Sequence, residues 1–379
     1  MRFYFKNSAL FIIFSSTLCA FNLELKNSET IVNIGGRVEL NTFMSSPDGS
    51  HNAQIPIDSI EKERHLTMSA SSSRLWLKTR VPSKYGVIRS IIETDFNGVK
   101  GTETNTNSHN LRLRNAYIQV GNWTIGQTNS AFNAYITTDI ILTAINDTFV
   151  RQPLIRYGAE NRSWRYDISF EQPETTLLDS NAKVITPKDD IIPDIIARIL
   201  FFEPWGDIAF SAMGRYLNQN RATLSDDTQL QNSDSALAWG LNFSAKLKVF
   251  KRNDIRIAYH YGDGMGRYLS YDAYPAGYIN NDGKIETQKS FGGHIAYCHW
   301  WNKELKSTVA LSYSGTKNNS YFKDNDDVNK ELVSSQLNLF WLPIQNSLIG
   351  IEYAKASRTV ESGKKGNIEI VTLMMRYNF

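Results

Sequence analysis

Apolar and polar residues alternate along many short segments of the chain, and this alternation has the period of a β-strand. In the segment 241–249, the odd positions are apolar or small, while the even positions hold Asn242, Lys246 and other polar residues. The last segment, 371–379, has the same period and ends on Phe379. Each segment therefore has one face suited to an apolar surrounding and one face suited to water.

Sixteen segments of this kind follow one another. We predict strands at 31–43, 66–81, 87–97, 110–120, 122–128, 152–160, 163–173, 191–203, 206–217, 235–250, 253–262, 288–300, 303–315, 330–342, 346–357 and 367–379. An even number of strands is what a closed single-chain membrane barrel requires, since closure leaves no unpaired strand edge in lipid. The terminal Phe379 also resembles the assembly signal of outer-membrane barrels. The expected fold is all-β: a sixteen-stranded antiparallel transmembrane β-barrel.

The connections between these segments alternate between short and long. The long, polar ones lie at 44–65, 98–109, 129–151, 174–190, 218–234, 263–287, 316–329 and 358–366. Short periplasmic turns and long outer loops are typical of bacterial outer-membrane barrels. With both termini in the periplasm, all eight long connections would be outer loops.

Residues 1–20 are predicted to be a signal peptide that is removed after Ala20. Arg2 and Lys6 give a positive start, and residues 9–14 give an apolar centre that is too short to span about 30 Å of hydrocarbon. We expect a short periplasmic N-terminal segment at 21–30 and a barrel at 31–379, in the outer membrane of a Gram-negative bacterium. Cys298 would then be the one remaining cysteine, so no internal disulfide is expected.

Charge and chemistry-bearing residues exclude some functions. The formal net charge is only +3 and no dense basic run occurs, so nucleic acid is not an expected partner. His294 and His299 flank Cys298, but strand alternation puts His299 on the opposite face from the other two. We therefore expect no metal site and no cofactor.

The connection 129–151 is the candidate constriction loop. It is unusually apolar for a loop in solvent, with Phe132, Tyr135, Ile136, Ile140, Ile141 and Leu142. We expect it to fold inward and narrow the lumen, because long ordered loops tend to carry function. The alternative is an outer loop that packs on itself or on a neighbouring subunit.

Five arginines are predicted to line the lumen beside this loop: Arg74, Arg112, Arg114, Arg151 and Arg156. The strand arginines point away from apolar neighbours, and the planar guanidinium fork suits carboxylates. Asp139 and Asp147 on the loop would face these arginines and set up a transverse field across a narrow pore. The alternative is that the arginines merely form ion pairs with inward acids, since Glu93 and Asp95 on the next strand could neutralise Arg74 or Arg112.

Four short motifs between residues 66 and 157 carry a family resemblance. They are SRLWLKT at 73–79, LRLRNAY at 111–117, NWTIGQT at 122–128 and RQPLIRY at 151–157. In order and spacing they resemble the DcaP-like family of trimeric outer-membrane porins. The resemblance implies a sixteen-stranded barrel, a homotrimer and a preference for anions such as dicarboxylates. Family members often carry a coiled-coil extension before the barrel, and the segment 21–30 is too short for several heptads.

Two polar residues on an expected outward face bear on the trimer. Asn115 and Gln119 fall in the phase of Leu113 and Tyr117. Coverage by a neighbouring subunit would explain polar side chains at these positions, so we expect the early strands at the trimer contact.

The combined prediction is a porin for passive diffusion of small hydrophilic solutes, favouring anions. Its expected partners are small anionic solutes, outer-membrane lipid and lipopolysaccharide, two further copies of the chain, and the barrel-assembly machinery, which would recognise Phe379. One alternative is an outer-membrane barrel enzyme of the lipase or protease type, although no convincing nucleophile beside an oriented base is visible. A surface adhesin or receptor built from the outer loops is another, and a gated transporter would need a plug domain.

Overall fold

Sixteen antiparallel strands form one closed barrel in the computed structural model of the chain. The structure describes residues 10–13, 21–25, 29–46, 55, 65–99, 101, 106–134, 139, 147–269 and 272–379. The barrel strands are β1 (Ile31–Ser46), β2 (two segments, His65–Ser69 and Arg74–Ser83), β3 (Gly86–Asp95), β4 (Arg112–Val120), β5 (Trp123–Asn129), β6 (Arg151–Glu160), β7 (Trp164–Glu171), β8 (Asp194–Glu203), β9 (Gly206–Asn220), β10 (Ser233–Val249), β11 (Asn253–Asp263), β12 (Lys289–Trp300), β13 (Leu305–Lys317), β14 (Asn329–Trp341), β15 (Ser347–Val360) and β16 (Lys365–Asn378).

The last strand closes the barrel by pairing with the first. Each strand pairs with the next along the chain, and β16 pairs with β1, with Tyr377 opposite Val38. The sixteen-stranded antiparallel barrel predicted from alternation is therefore confirmed. The segment 66–81, predicted as one continuous strand, is divided into two by a turn. In this turn the Ser73 N–H donates to the Ala70 carbonyl at 3.0 Å.

The two faces of the strands differ as the alternation predicts. On β10, Leu241 is exposed, whereas Asn242 and Ser244 are buried toward the lumen. A Lys or Arg on the lipid face costs about 2–4 kcal/mol at the bilayer midplane. The apolar faces therefore lie outside and the charged faces line the lumen.

Several outer loops pack on one another beyond the barrel strands. Short strands at Leu177–Leu178, Val184–Ile185, Gly277–Ile279 and Ile285–Thr287 form a separate four-stranded sheet. They join the loops 174–190 and 263–287, because Leu177–Leu178 runs parallel to Gly277–Ile279. A buried cluster of apolar side chains that includes Leu177, Leu217 and Ile279 holds this sheet against β9.

At the N-terminal side, Leu10–Ile13 pairs with Phe21–Leu25, which in turn pairs with the first residues of β1. The predicted cleavage position after Ala20 lies outside the described residues. In the part of the chain that is described, no helix is long and apolar enough to cross a membrane.

Candidate functional site

Three of the five predicted arginines meet on the lumen wall formed by β2, β3 and β4. Arg74 Nη1 lies 3.1 Å from Glu93 Oε1. Arg112 grips Asp95 with two hydrogen bonds, Nε to Oδ1 at 3.0 Å and Nη2 to Oδ2 at 2.8 Å. Arg114 donates to both acids, at 3.1 Å to Glu93 and 2.6 Å to Asp95. The two acids therefore neutralise part of the arginine charge, as the alternative reading of the sequence anticipated.

A β-bulge brings both arginines of β4 to this wall. Asp95 pairs with Arg112 and Glu93 with Asn115, so Arg114 is the extra residue between them. The shift reverses the phase of the rest of β4. Asn115 donates to Glu93 Oε2 at 2.6 Å, and Gln119 lies opposite lumen-facing Arg89. The expectation that Asn115 and Gln119 face outward is therefore wrong, because strict alternation fails at the bulge.

The remaining two predicted arginines lie apart from each other. Arg151 opens β6 in the phase of exposed Ile155, its guanidinium lies 5.2 Å from the ring centroid of Phe149, and its Nε donates to Asn129 Oδ1 at 3.1 Å. Arg156 is on the opposite, lumen-facing phase and is only 9% exposed. Its Nη2 donates to the Asn129 carbonyl at 2.5 Å, and its buried Nε has no partner among the described residues.

A second charged group lies on the wall beside Arg156. Asp167 on β7 is buried between two arginines, with Arg165 Nη2 at 2.8 Å and Arg198 Nη2 at 2.6 Å. Ser169, the cross-strand partner of Arg156, is fully buried. Arg156 therefore lies next to a saturated ion-pair group and makes no ion pair of its own among the residues described.

The predicted loop acid Asp139 binds the wall on the other side of the barrel. Its carboxylate accepts from Arg256 Nη2 on β11 and from Lys306 Nζ on β13, both at 2.8 Å. Its carbonyl accepts from Asn338 Nδ2 on β14 at 2.7 Å. Burial alone would raise the pKa of the Asp139 carboxyl, but the charges of Arg256 and Lys306 outweigh it and hold that pKa below its ordinary value.

The ends of the same loop are also held by lumen-facing side chains. Asp147 forms a hydrogen-bonded pair with His294 Nδ1 on β12. The carbonyl of fully buried Phe132 accepts from Asn242 Nδ2 on β10 at 3.1 Å. These contacts support the predicted inward fold of the loop. Its other apolar residues, Tyr135, Ile136, Ile140, Ile141 and Leu142, lie outside the described residues.

The arrangement changes the interpretation of the loop acids. Asp139 and Asp147 were expected to face the arginines as a free negative pole across the lumen. Asp139 instead has basic partners of its own on β11 and β13, and Asp147 pairs with His294. Their geometry is that of anchors which attach the loop to the wall.

A scan of protein-family models matches residues 41–379 to the DcaP outer membrane protein family. The chain belongs to this family. The match covers most of the chain, so the resemblance carried by the four sequence motifs is confirmed. The outer-membrane location that was predicted is confirmed with it.

Solved structures similar to this DcaP family member have the same fold. The outer membrane channel DcaP of Acinetobacter baumannii matches with a TM-score of 0.77 and 21% identity over 92% of this chain and 97% of that one. The anion-selective porin from Comamonas acidovorans gives 0.60 and 11%, over 93% and 100%. A trimer form of Vibrio cholerae OmpT gives 0.56 and 9%, over 92% and 99%. A search of curated proteins by sequence found no match.

Sequence reasoning missed two arginines of the DcaP family barrel. Arg37 on β1 and Arg376 on β16 both bind Glu39, at 3.0 Å and 2.7 Å. Arg37 is also the cross-strand partner of Arg74. Arg37 and Arg376 are 339 positions apart in the sequence, and closure of the barrel brings them together. Pairing the first predicted strand with the last would have found them.

The loop 263–287 was also missed as part of the lumen. Met265, Tyr268 and Leu269 belong to one buried cluster with lumen-facing Ile196 of β8 and Leu332 of β14. The Phe149 N–H donates to the Tyr268 carbonyl at 2.9 Å, which ties this loop to the loop 129–151. The two loops therefore join opposite walls across the outer part of the lumen.

His294, Cys298 and His299, which were considered as metal ligands, contact different side chains. His294 pairs with Asp147, the Cys298 thiol lies 3.9 Å from Asp139 Oδ2, and His299 Nδ1 is bonded to Asn253. Within the described ranges, no group of three or more His, Cys, Asp or Glu residues is placed to hold a metal ion.

Proposed function

We propose that this DcaP family barrel is a porin through which small hydrophilic solutes diffuse passively, with a preference for anions such as dicarboxylates. The observation that carries the proposal is an excess of positive charge on one wall. Five lumen-side arginines, Arg37, Arg74, Arg112, Arg114 and Arg376, share three carboxylates, Glu39, Glu93 and Asp95. Arg151 begins β6 in the outward phase, but it lies close enough to Arg112 and Arg114 to interact with their charges and therefore adds to this excess.

The size of the interaction fits diffusion and not trapping. A fixed and a permeant charge about 4 Å apart interact by about 4 kcal/mol at an effective dielectric near 20. Two or three such contacts would offset much of the dehydration of an anion. Part of the wall charge is already used by the three acids, so the net attraction is smaller than a row of bare arginines would give. Salt would weaken the approach further, with a Debye length of about 8 Å at physiological strength.

The loop 129–151 is the proposed constriction of this pathway. Its anchors Asp139 and Asp147 contact β11, β13 and β12, while its first and last residues join β5 and β6. A segment held at both places would narrow the passage beside the arginine wall. Catalysis is not part of the proposal.

Reversal potential in planar bilayers tests the anion preference. Purified protein in a tenfold gradient of potassium chloride should give a potential of the sign expected for chloride permeation. The potential should fall toward zero as total salt rises, because screening shortens the reach of the wall charges. A potential of the opposite sign in the wild-type protein would contradict anion preference.

We further propose that the protein is a homotrimer with β1 to β4 at the contact. Exposed aromatic residues form girdles where a barrel meets lipid headgroups. Within their described residues, β1 to β4 expose aliphatic side chains such as Val38, Leu75 and Ile118 but no aromatic one. The strands from β7 to β16 expose many aromatic residues, among them Trp164, Phe201, Phe210, Trp239, Tyr259, Tyr313, Trp341, Tyr353 and Tyr377. Apart from Tyr85 in the turn between β2 and β3, this sector exposes no aromatic residue within the described ranges, and such a face is suited to contact with another protein.

The other proposed partners follow from the aromatic outer faces of the barrel and from its last residue. The aromatic faces would lie in outer-membrane lipid and lipopolysaccharide. Phe379, which is exposed at the end of β16, would be the residue that the barrel-assembly machinery recognises. Replacing Phe379 by Ser should lower the amount of protein assembled in the membrane without changing the channel properties of the fraction that assembles.

A further inference from the structure

The basic face of β2 continues below the arginine wall toward the periplasmic turn. Lys78 and Arg80 follow Arg74 in the same phase, and Arg89 on β3 is the direct cross-strand partner of Arg80. Three further residue pairs separate this arginine pair from the end of the turn. At about 3.3 Å per residue, the pair lies roughly 10 Å along the strands from the turn, at the periplasmic end of the lumen.

Among the residues that the structure describes, no carboxylate lies within ion-pair distance of Arg80 or Arg89. The next acid upward on this wall, Glu93, is bonded to Arg74 and Arg114. Like charges directly opposite one another destabilise a strand pair. Two arginines at directly opposed positions, with no carboxylate partner within the described ranges, are therefore a place where an anion from solution lowers the free energy.

A row of hydrogen-bond donors runs from this pair sideways across the neighbouring strands. Arg89 pairs with Gln119, Gln119 with Thr124, and Thr124 with Arg156, so that the row crosses five strands with Arg80. Neighbouring strands are about 4.8 Å apart, so successive donors are separated by about that distance. The side chains of Gln119 and Thr124 make no hydrogen bond within the described ranges. An anion that leaves the region of Arg156 would therefore find a side-chain donor on each strand.

We propose that Arg80 and Arg89 form an anion-binding site at the periplasmic end of the lumen, separate from the wall of Arg74, Arg112 and Arg114. The site takes an oxyanion group, a carboxylate or a phosphate, because two guanidinium forks supply parallel N–H donors to such a group. This site adds to the porin proposal and rests on it, because the site has a role in transport only if anions pass through the lumen. Two sites in series allow favourable capture together with release, since an anion in the first site repels one in the second.

The test is block of single-channel current by an oxyanion added to one chamber at a time. Citrate is the carboxylate probe and inorganic phosphate the second probe, each in low-salt potassium chloride. In the wild-type protein, both probes should block from one side at lower concentration than from the other. Replacing Arg80→Gln together with Arg89→Gln should weaken block from that side at least about tenfold, because loss of even one charge-assisted hydrogen bond corresponds to about that factor.

A matched control removes two positive charges from periplasmic turns instead of the lumen. Lys84→Gln together with Lys251→Gln should leave the sided block unchanged, since both lysines lie in turns outside the strands. The site proposal is wrong if the probes block the Arg80/Arg89 variant as strongly as the wild type. It is also wrong if the lysine control loses the sided block as much as the Arg80/Arg89 variant does. Equal block of the wild type from both sides also overturns it.

A chemical variant separates charge from structure. Arg89→Cys should lose the sided block, a positively charged methanethiosulfonate reagent should restore it, and a negatively charged reagent should not. The native Cys298 is 1% exposed, so the wild-type protein treated with the same reagents is the control for background reaction. Failure of the positive reagent to restore block would refute a role of charge. If the wild-type channel prefers cations yet keeps an Arg80/Arg89-dependent block, the anion-porin proposal fails and this site stands.

Discussion

Asp95 decides how much positive charge the arginine wall presents. It accepts two hydrogen bonds from Arg112 and one from Arg114, while Arg112 keeps nearly half of its side chain exposed to the lumen. An arginine held by a carboxylate loses part of its long-range field but keeps a fixed direction for its free N–H groups. The wall therefore combines fixed geometry with an incomplete neutralisation of charge.

Replacing Arg112→Gln together with Arg114→Gln should shift the reversal potential toward cations. The change leaves Arg37, Arg74 and Arg376 against three carboxylates on the wall, so the excess of positive charge is reduced to that of Arg151. A loss of about 1.4 kcal/mol of attraction would lower the chloride-to-potassium permeability ratio about tenfold. An unmoved reversal potential, with the barrel still resistant to heat in electrophoresis, would refute the assignment.

The opposite variant at the same place is Asp95→Asn. It should raise anion preference, because Arg112 and Arg114 lose their shared acid. It should also lower the heat resistance of the barrel, since a charged hydrogen-bonded group is removed from a buried position. Opposite shifts in the two variants would distinguish an electrostatic effect from general damage to the wall.

At the scale of elements, the bulge in β4 and the two loops in the lumen position the site. The bulge places Arg114 and Asn115 on one face, and Asp139 ties the loop 129–151 to β11 and β13. The bulge changes the face on which side chains of β4 lie, and the loop contact brings Asp139 to the wall. Together they determine which charged side chains meet.

Asp139→Asn should loosen the loop 129–151 and increase single-channel conductance. Two charge-assisted hydrogen bonds are weakened, each of about 1.5–3 kcal/mol. The size limit for neutral sugars in liposome swelling should rise as well. Because the pKa of Asp139 is lowered, the wild-type anchor is complete above the ordinary Asp value of about 4 and is lost only below it. Exposed Asp327, paired with Lys183, is the matched control, and Asp327→Asn should change neither measurement.

The strands were predictable because each one carries its own alternation, whereas the site depends on contacts between strands. Leu241 and Asn242 show their faces without reference to any other segment. The extra residue at Arg114 has no local signature, so Asn115 was assigned to the wrong face. Tyr268 was overlooked because its burial depends on Ile196 and Phe132, which come from two other elements.

At the scale of the whole molecule, the barrel has two different outer surfaces. The faces of β1 to β4 are aliphatic within the described residues, and those of the later strands are rich in exposed aromatic residues. A difference of this kind around one barrel is expected when one sector contacts protein and the rest contacts lipid.

Ile92→Trp on β3 should weaken the proposed homotrimer, because the larger side chain would not fit a packed contact. Ile295→Trp on β12 is the matched control, since the two isoleucines are equally exposed at 52% and 51%. Native mass measurement in mild detergent should give monomers for the first variant and trimers for the second. Wild-type monomers under the same conditions would contradict the proposed trimer.

The seam between the first and last strands makes completion of the barrel depend on residues at the two ends of the chain. The backbone groups of Gly36 and Phe379 bond each other in both directions, at 3.0 Å and 2.9 Å. A Cβ at Gly36 would lie 2.6 Å from both the ring of Phe379 and the Arg74 carbonyl oxygen. Until β16 arrives, the edges of β1 and β15 stay open and prone to wrong pairing. Gly36→Ala should therefore slow the final step of refolding into micelles, measured as the half-time for gain of heat-resistant electrophoretic mobility, while earlier gain of β-structure by circular dichroism keeps its rate.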